Sequence, residues 1–266
     1  MKLKMFQVDA FTDTLFQGNP AAVVPLTEWL SEFQMQHIAA ENNLAETAFI
    51  KQVAGNKYHI RWFTPTIEVP FCGHATLASA FVLFKENDSL TEVVFTTEQV
   101  GELIIYKGDN GFIQMDFPNR KPTEVIDNPP QELLAGLSIK PQRVVRNVQA
   151  YFAIYDNEQQ VRDVVVNSEL LARLDPYCVT VTAPGQEYDF VSRFFATNHG
   201  VDEDPVTGSI HTGLAPYWAE QLNKTRLLAY QASARGGKLL CEVKGDRVVI
   251  EGKAVLYLEG LFYLPD

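Results

Sequence analysis

Cysteine is scarce in this chain of 266 residues, and its three copies, Cys72, Cys178 and Cys241, are widely scattered. An odd number without Cys-x-x-Cys spacing argues for a reducing, cytoplasmic compartment. Basic residues are outnumbered, 22 Lys and Arg against 33 Asp and Glu, which leaves a formal net charge of -11. That sign repels polyphosphate backbones and acidic lipid surfaces, so neither nucleic acid nor a membrane is an expected partner. No run approaches the roughly 20 apolar residues of a membrane span. The start, Met1 to Ala10, carries Lys2 and Lys4, but Asp9 interrupts its apolar stretch, so it reads as a first strand rather than a signal peptide.

Several chemical signatures are missing as well. His37, His59, His74, His199 and His211 form no His-Glu-x-x-His pair, and with no cysteine spacing to help, no metal is expected. Gly-x-Gly-x-x-Gly and the phosphate-loop lysine motif are absent, which argues against a dinucleotide or nucleotide enzyme. Gly-x-Ser-x-Gly is absent too. What remains is a chain that is 46% hydrophobic, enough for two sizeable cores.

The most informative feature present is an internal repeat. Glu68-Val69-Pro70-Phe71-Cys72-Gly73-His74 reads Glu-x-Pro-x-Cys-Gly-His, and 135 positions later Glu203-Asp204-Pro205-Val206-Thr207-Gly208-Ser209 reads Glu-x-Pro-x-Thr-Gly-Ser. Arg61-Trp62-Phe63 precedes the first copy as Arg193-Phe194-Phe195 precedes the second, at an offset of 132. Gly101-Glu102-Leu103 meets Gly237-Lys238-Leu239 at 136, and Lys107-Gly108-Asp109 meets Lys244-Gly245-Asp246 at 137. Four blocks in one order at nearly constant spacing indicate a duplicated fold. The expected domains are 1-118 and 130-266, joined by the proline-rich linker 118-130.

Each half reads as several strands around one buried helix, an α+β plan. Phe6 to Phe11 and Ala21 to Val24 are expected to form a hairpin through the Gly18-Asn19-Pro20 turn cluster. Thr27 to Asn42 has a helical rhythm with Thr27 as N-cap. From His74 to Lys85 almost no polar face is left, the mark of a buried helix. A second central helix begins near Ser209, and Pro216 should kink or shorten it. Helix starts present unpaired N-H groups and partial positive charge, so two facing starts would hold a small carboxylate. Gly73 and Gly208 would let the backbone approach that ligand closely.

Asn43-Leu44-Ala45-Glu46-Thr47-Ala48-Phe49, Cys72-Gly73-His74-Ala75-Thr76-Leu77-Ala78 and the Glu203 to Ser209 block together resemble the phenazine biosynthesis PhzF-like isomerases. Gly18-Asn19-Pro20-Ala21-Ala22-Val23-Val24 is similar too. The resemblance implies the diaminopimelate epimerase-like fold, with two pseudo-symmetric α+β domains, an active site in the cleft between them, and a last strand, after Tyr257, that can cross back to the first domain. It further implies cofactor-free proton transfer at carbon on a small carboxylic acid, and a homodimer.

Carried over residue by residue, the resemblance makes Glu46 the proton shuttle. Its apolar sequence neighbours Leu44-Ala45 and Ala48-Phe49 would raise its pKa towards neutrality. His74 is placed to donate a hydrogen bond or relay a proton, Asp204 to orient a substrate amine or hydroxyl or accept a proton, and Ser209 to offer a hydroxyl and an N-H to a carboxylate. Asn19, Gly73 and Gly208 complete the expected substrate-binding set. Diaminopimelate epimerases and proline racemases use two facing thiols, whereas here the repeat partner of Cys72 is Thr207, which cannot form an anion near neutral pH. Cys72 is therefore expected to pack rather than react. A Cys72-His74 pair is disfavoured because residues two apart at a helix start point in different directions. The alternative function is a non-catalytic protein that keeps the fold and binds small anions.

Overall fold

The computed structural model describes residues 1–265. Chain contacts divide them into two units, Met1–Asp116 together with the stretch from Glu251 on, and Phe117–Ile250.

In the first unit, β1 (Lys2–Ala10) and β2 (Asn19–Leu26) pair antiparallel, with Ala10 opposite Asn19. Asn19 and Pro20 belong to the strand rather than to a turn, and the reversal is made by residues 11–18, where Phe11, Phe16 and Gly18 all have positive φ. Helix α1 (Glu32–Asn42) follows. It starts four residues later than a Thr27 cap would place it, because Ser31 and Gln34 form a capping box. The Ser31 hydroxyl accepts from the Gln34 N-H at 3.2 Å, and Gln34 Oε1 accepts from the Ser31 N-H at 3.1 Å.

Strand β3 (Glu46–Ala54) runs parallel to β2, with Ala21 opposite Glu46. Ala21 to Val24 and Thr47 to Ile50 are buried without alternation, as expected of parallel strands covered on both faces. Met35, Ile38 and Ala39 of α1 cover one face, in a cluster with Val24, Phe49 and Phe63. Strand β4 (Lys57–Phe63) pairs antiparallel with β3, and the short arm β5 (Glu68–Val69) folds back on β4. Helix α2 (Gly73–Glu86) then packs on β1, β2 and β3 with Gly73 to Ala80 all buried. Strands β6 (Glu92–Thr96), parallel to β4, and β7 (Glu102–Lys107) and β8 (Ile113–Pro118), in an antiparallel meander, complete the wrap.

The second unit opens with β9 (Glu124–Val125), α3 (Gln131–Gly136), β10 (Arg143–Arg146) and β11 (Ala150–Ile154). Two short helices, α4 (Glu158–Asp163) and α5 (Ser168–Leu171), lead to β12 (Cys178–Pro184), β13 (Phe190–Ala196) and the arm β14 (Val201–Asp204). Helix α6 (His211–Leu222) precedes β15 (Arg226–Gln231), β16 (Gly237–Lys244) and β17 (Arg247–Gly252). Pro216 sits inside α6, which nonetheless runs on to a left-handed cap at Asn223.

The duplication is written in the pairing. Along β1-β2-β3-β4-β6-β7 the neighbours alternate antiparallel, parallel, antiparallel, parallel, antiparallel. The series β10-β11-β12-β13-β15-β16 repeats that alternation, with β14 on β13 as β5 is on β4.

Two segments fall differently from the sequence boundaries. The proline-rich stretch after Pro118 is tied into the second unit: the Asn119 N-H donates to Asp246 O at 2.8 Å, that of Arg120 to Thr212 O at 3.0 Å, and β9 pairs with β10. The last strand, β18 (Ala254–Tyr263), lies antiparallel along the whole of β1, from Lys2 opposite Tyr263 to Ala10 opposite Ala254. Among the described residues no helix is long and apolar enough to cross a membrane.

Candidate active site

The repeated Arg and Glu form a clamp in each unit. Arg61 on β4 donates Nε and Nη2 to the two carboxylate oxygens of Glu68 on β5, at 2.7 and 2.6 Å. Arg193 on β13 does the same to Glu203 on β14, at 2.7 and 2.8 Å. A bidentate guanidinium-carboxylate pair fixes geometry as well as energy. It pins the short arm whose continuation reaches the helix start, so the motif's first residue is structural and its last three build the site.

In the first unit, Cys72 is the N-cap of α2, with extended backbone at φ -144 and ψ 115. Its carbonyl accepts from the Thr76 hydroxyl at 2.6 Å and the Thr76 N-H at 3.1 Å, which starts the helix without a side-chain cap. Gly73 is the first helical residue, and His74, 4% exposed, points back towards β3. There Nε2 of His74 lies 3.0 Å from Oε2 of Glu46, the first residue of β3. Nδ1 of His74 lies 3.1 Å from the Asn19 carboxamide at the start of β2, and 3.4 Å from Cys72 Sγ. Asn19, Glu46, Cys72 and His74 thus form one cluster at the head of α2.

The charges in this cluster hold one another. Burial alone would push the Glu46 carboxyl up, but the His74 charge and hydrogen bond, with a further hydrogen bond from Cys72, bring it below its ordinary value. This corrects the expectation of a raised pKa. Burial alone would push His74 down, yet Cys72 and Glu46 beside it hold the imidazole well above its ordinary value. Burial, helped by the Glu46 charge, pushes the Cys72 thiol up to about 11. At neutral pH the cluster is a carboxylate, an imidazolium and a thiol. An imidazolium donates from both nitrogens, so Asn19 must present its oxygen to Nδ1, an orientation its amide can adopt.

Cys72 does more than pack, because its sulfur contacts both partners. The helical rule for residues two apart does not apply to an N-cap, whose extended backbone aims the side chain outside the helical spiral. One oxygen of Glu46, Sγ of Cys72 and a ring nitrogen of His74 all lie within 4.8 Å of one another, which also makes them a possible set of metal ligands.

In the second unit, the Thr207 hydroxyl donates to Asp204 Oδ2. Gln231, at the end of β15, fastens the same turn: Oε1 accepts from the Thr207 N-H at 2.8 Å, and Nε2 donates to the Asp204 carbonyl at 2.8 Å. Gly208 lies in the turn ahead of α6, which begins at His211. Ser209 Oγ accepts from Gln149 Nε2 at 2.9 Å, leaving the serine's own O-H to donate elsewhere. His211 is fully buried, with Nδ1 2.8 Å from Thr207 O, and burial brings its pKa down to about 4. Asp204 and Ser209 each have their own anchor, Thr207 for the first and Gln149 for the second. Gln149 and Gln231 are the residues that sequence reasoning missed. The two strands that head the corresponding positions, β3 and β12, begin with Glu46 and Cys178 respectively, so the second unit has no carboxylate at that point. Surface grooves of 490 and 280 Å³ in the second unit are lined from within residues 121–145, the smaller also by Tyr217, Glu220 and Gln221, and contain none of these residues.

The sequence model of the family described as phenazine biosynthesis-like protein matches residues 8–260. An uncharacterized isomerase of Pseudomonas aeruginosa is 48% identical over 265 residues, covering 99% of this chain and 100% of that protein. The crystal structure of a PhzF-family phenazine biosynthesis protein from Enterococcus faecalis superposes with a TM-score of 0.94 at 44% identity, over 99% of this chain and 100% of that one. A predicted epimerase from Pseudomonas aeruginosa shares the fold, with a TM-score of 0.75 at 19% identity over 99% of this chain and 100% of that one. The architecture is the diaminopimelate epimerase-like α+β fold.

Proposed function

The chain belongs to the phenazine biosynthesis-like family, and on that footing we propose that it is a cofactor-independent isomerase that moves a proton between carbons of a small carboxylic acid. The observation that carries this reading is the 3.0 Å contact between Glu46 Oε2 and His74 Nε2 at the head of a buried helix. A carboxylate poised beside an imidazolium is a base in its resting form. It removes a proton from one carbon of the substrate, leaving the electron pair delocalised into the unsaturated acid; the resulting carboxylic acid exchanges its proton with solvent and delivers one proton to another carbon. No atom is gained or lost.

The two opposing effects on Glu46 suit this cycle. His74 favours the ionised form that accepts the proton, and burial favours the neutral form that carries it. Glu46 keeps 18% of its side chain exposed, so a substrate carbon can reach it, whereas His74 keeps only 5%. Asn19 orients the imidazole through Nδ1. In the second unit we assign Ser209, held by Gln149, as a hydroxyl donor to a substrate carboxylate, and Asp204, held by Thr207, as an acceptor for an amine or hydroxyl. The N-H groups near Gly73 and Gly208 are assigned to the same recognition.

The test is NMR of a panel of small cyclic and unsaturated carboxylic acids in heavy water with the wild-type protein. Deuterium entering a C-H position of one compound supports the isomerase and names its substrate class. Line broadening without exchange across the panel overturns it in favour of an anion-binding protein.

A further inference from the structure

In each unit, the last residue of the repeated seven-residue motif is held by a carboxamide from the preceding hairpin. His74 Nδ1 lies 3.1 Å from the Asn19 carboxamide, and Ser209 Oγ accepts from Gln149 Nε2 at 2.9 Å. The two amides occupy related places in the duplicated fold. Asn19 lies two residues before Ala21, which pairs with Glu46 at the head of β3. Gln149 lies one residue before Ala150, which pairs with Cys178 at the head of β12. No sequence block marks this correspondence, because the amide differs in type and is offset by one position.

What an amide does to a hydroxyl follows from counting donors. A serine has one O-H donor and two acceptor lone pairs. With Gln149 Nε2 donating into one lone pair, the serine proton turns away from the amide, and among the described residues no acceptor takes it. Ser209 is half-buried, so a ligand can reach that hydroxyl. The opposite amide orientation would take the serine proton itself and leave both Gln149 N-H groups unpaired. As it stands, the buried Gln149 atom without a partner is Oε1, and under-satisfied carbonyls are less rare than orphan N-H groups. Gln231 treats Thr207 in the same way: Nε2 lies 3.3 Å from Oγ1, and the threonine proton goes to Asp204 Oδ2. Gln149 is itself fixed through its backbone, whose N-H donates to Asn147 Oδ1 at 2.8 Å and whose C=O accepts from the Cys178 N-H at 3.1 Å.

We propose that Gln149 is a positioning residue that keeps the Ser209 hydroxyl proton turned outward, so that this serine donates to an acceptor such as a carboxylate and does not receive an amine. Asn19 is its counterpart with reversed polarity. Its oxygen receives the Nδ1 proton of the imidazolium, which leaves the Nε2 proton committed to Glu46. The polarity of Ser209 rests on hydrogen-bond geometry alone; that the acceptor is a substrate carboxylate rests on the isomerase reading.

The experiment is NMR of the isotope-labelled full chain, with benzoate as the probe acid. The side-chain amide protons of Gln149 should exchange slowly with solvent, and their resonances should shift in Ser209→Ala. Benzoate affinity, read from line broadening, should fall about 3- to 10-fold in Gln149→Met, the worth of one ordinary hydrogen bond. Adding Gln149→Met to Ser209→Ala should change affinity no further, because the amide acts only through the hydroxyl. The melting temperature should hold in Gln149→Met, since both backbone bonds remain. With a substrate in hand, the same variant should raise KM and leave kcat, the mark of a binding contact. Should Gln149→Met fail to fold, the wild-type amide resonances and their shift in Ser209→Ala still decide the pairing. Fast amide exchange, no benzoate binding by the wild-type chain, or the same loss on Gln149→Met with and without the Ser209 hydroxyl would overturn the role. Coupling of the two residues in a protein that exchanges no substrate proton keeps Gln149 as the residue that orients Ser209 and removes the isomerase instead.

Discussion

Glu46 Oε2 and His74 Nε2 form an ion pair at 3.0 Å in which each partner shifts the other's titration. Glu46, held below its ordinary value of 4.5, contributes stability that is complete above that value and lost as the pH falls through the lowered one. His74, held above its ordinary 6.5, contributes stability that is complete below 6.5 and lost as the pH rises through the raised one. Both contributions coexist between those ordinary values and decline on either side. Melting temperature against pH should therefore show an alkaline limb that His74→Gln flattens. An imidazole resonance of His74 titrating at the ordinary histidine value would contradict the pairing.

His211 gives the opposite sign for a histidine. It is buried and neutral, with its pKa brought down to about 4 from 6.5, so the unfolded chain binds the extra proton first. Stability from this residue is complete above pH 6.5 and falls as the pH drops towards 4, by roughly 3 kcal/mol in all. His211→Gln should flatten the acid limb of the stability curve between those values. An unchanged limb would mean that the ring is reached by water or bound by a polar partner.

Cys72 is a thiol at neutral pH, with its pKa pushed up to about 11 by burial and the Glu46 charge. Cys72→Ser keeps a donor beside the carboxylate, so proton exchange should stay within about tenfold of wild type, a change of roughly 1.4 kcal/mol in barrier. Loss of several orders of magnitude would restore a thiol-dependent mechanism.

The Arg61–Glu68 clamp should matter more than an exposed ion pair of the same charges. Its side chains are 20% and 29% exposed, against 53% and 56% for Lys57 and Glu102 at 3.5 Å. Glu68→Gln should cost about 1–3 kcal/mol in urea unfolding, and Glu102→Gln less than about 0.5 kcal/mol. Equal effects would show that the clamp is a bystander.

Two glycines with similar backbone should respond differently to a methyl group. Gly18, at φ +68, would place a Cβ 2.1 Å from the Ala10 carbonyl oxygen, whereas a Cβ on Gly55, at φ +56, meets nothing within 4 Å. Gly55→Ala should cost only the left-handed backbone term, about 1–2 kcal/mol, and Gly18→Ala distinctly more, read from the two melting curves. Equal costs would mean that the 11–18 loop moves aside freely.

Much of this was legible in the chain. The spaced blocks set Arg61 and Arg193 at matching places before Glu68 and Glu203, but their pairing into clamps depends on β5 folding back on β4 and β14 on β13. The head of α1 was legible too, since Ser31-x-x-Gln34 is a capping signature, but Thr27 drew the reading earlier. Glu46 was located by resemblance, and its titration was misjudged because its sequence neighbours are apolar. Side chains on a strand alternate faces, and what decides the charge of Glu46 is His74, 28 residues away in sequence. Gln149 and Gln231 carry no motif; they contact the turn before α6 only after the strands have paired, 60 and 24 residues from their partners.

The central claim is that Glu46 carries the proton. The most direct test follows deuterium exchange into one substrate by NMR, with wild type and Glu46→Gln side by side, while line broadening reports binding. The account predicts that Glu46→Gln still binds and exchanges several orders of magnitude more slowly, because the amide keeps the shape and cannot carry the proton. Exchange within about tenfold of wild type, roughly 1.4 kcal/mol of barrier, would contradict it.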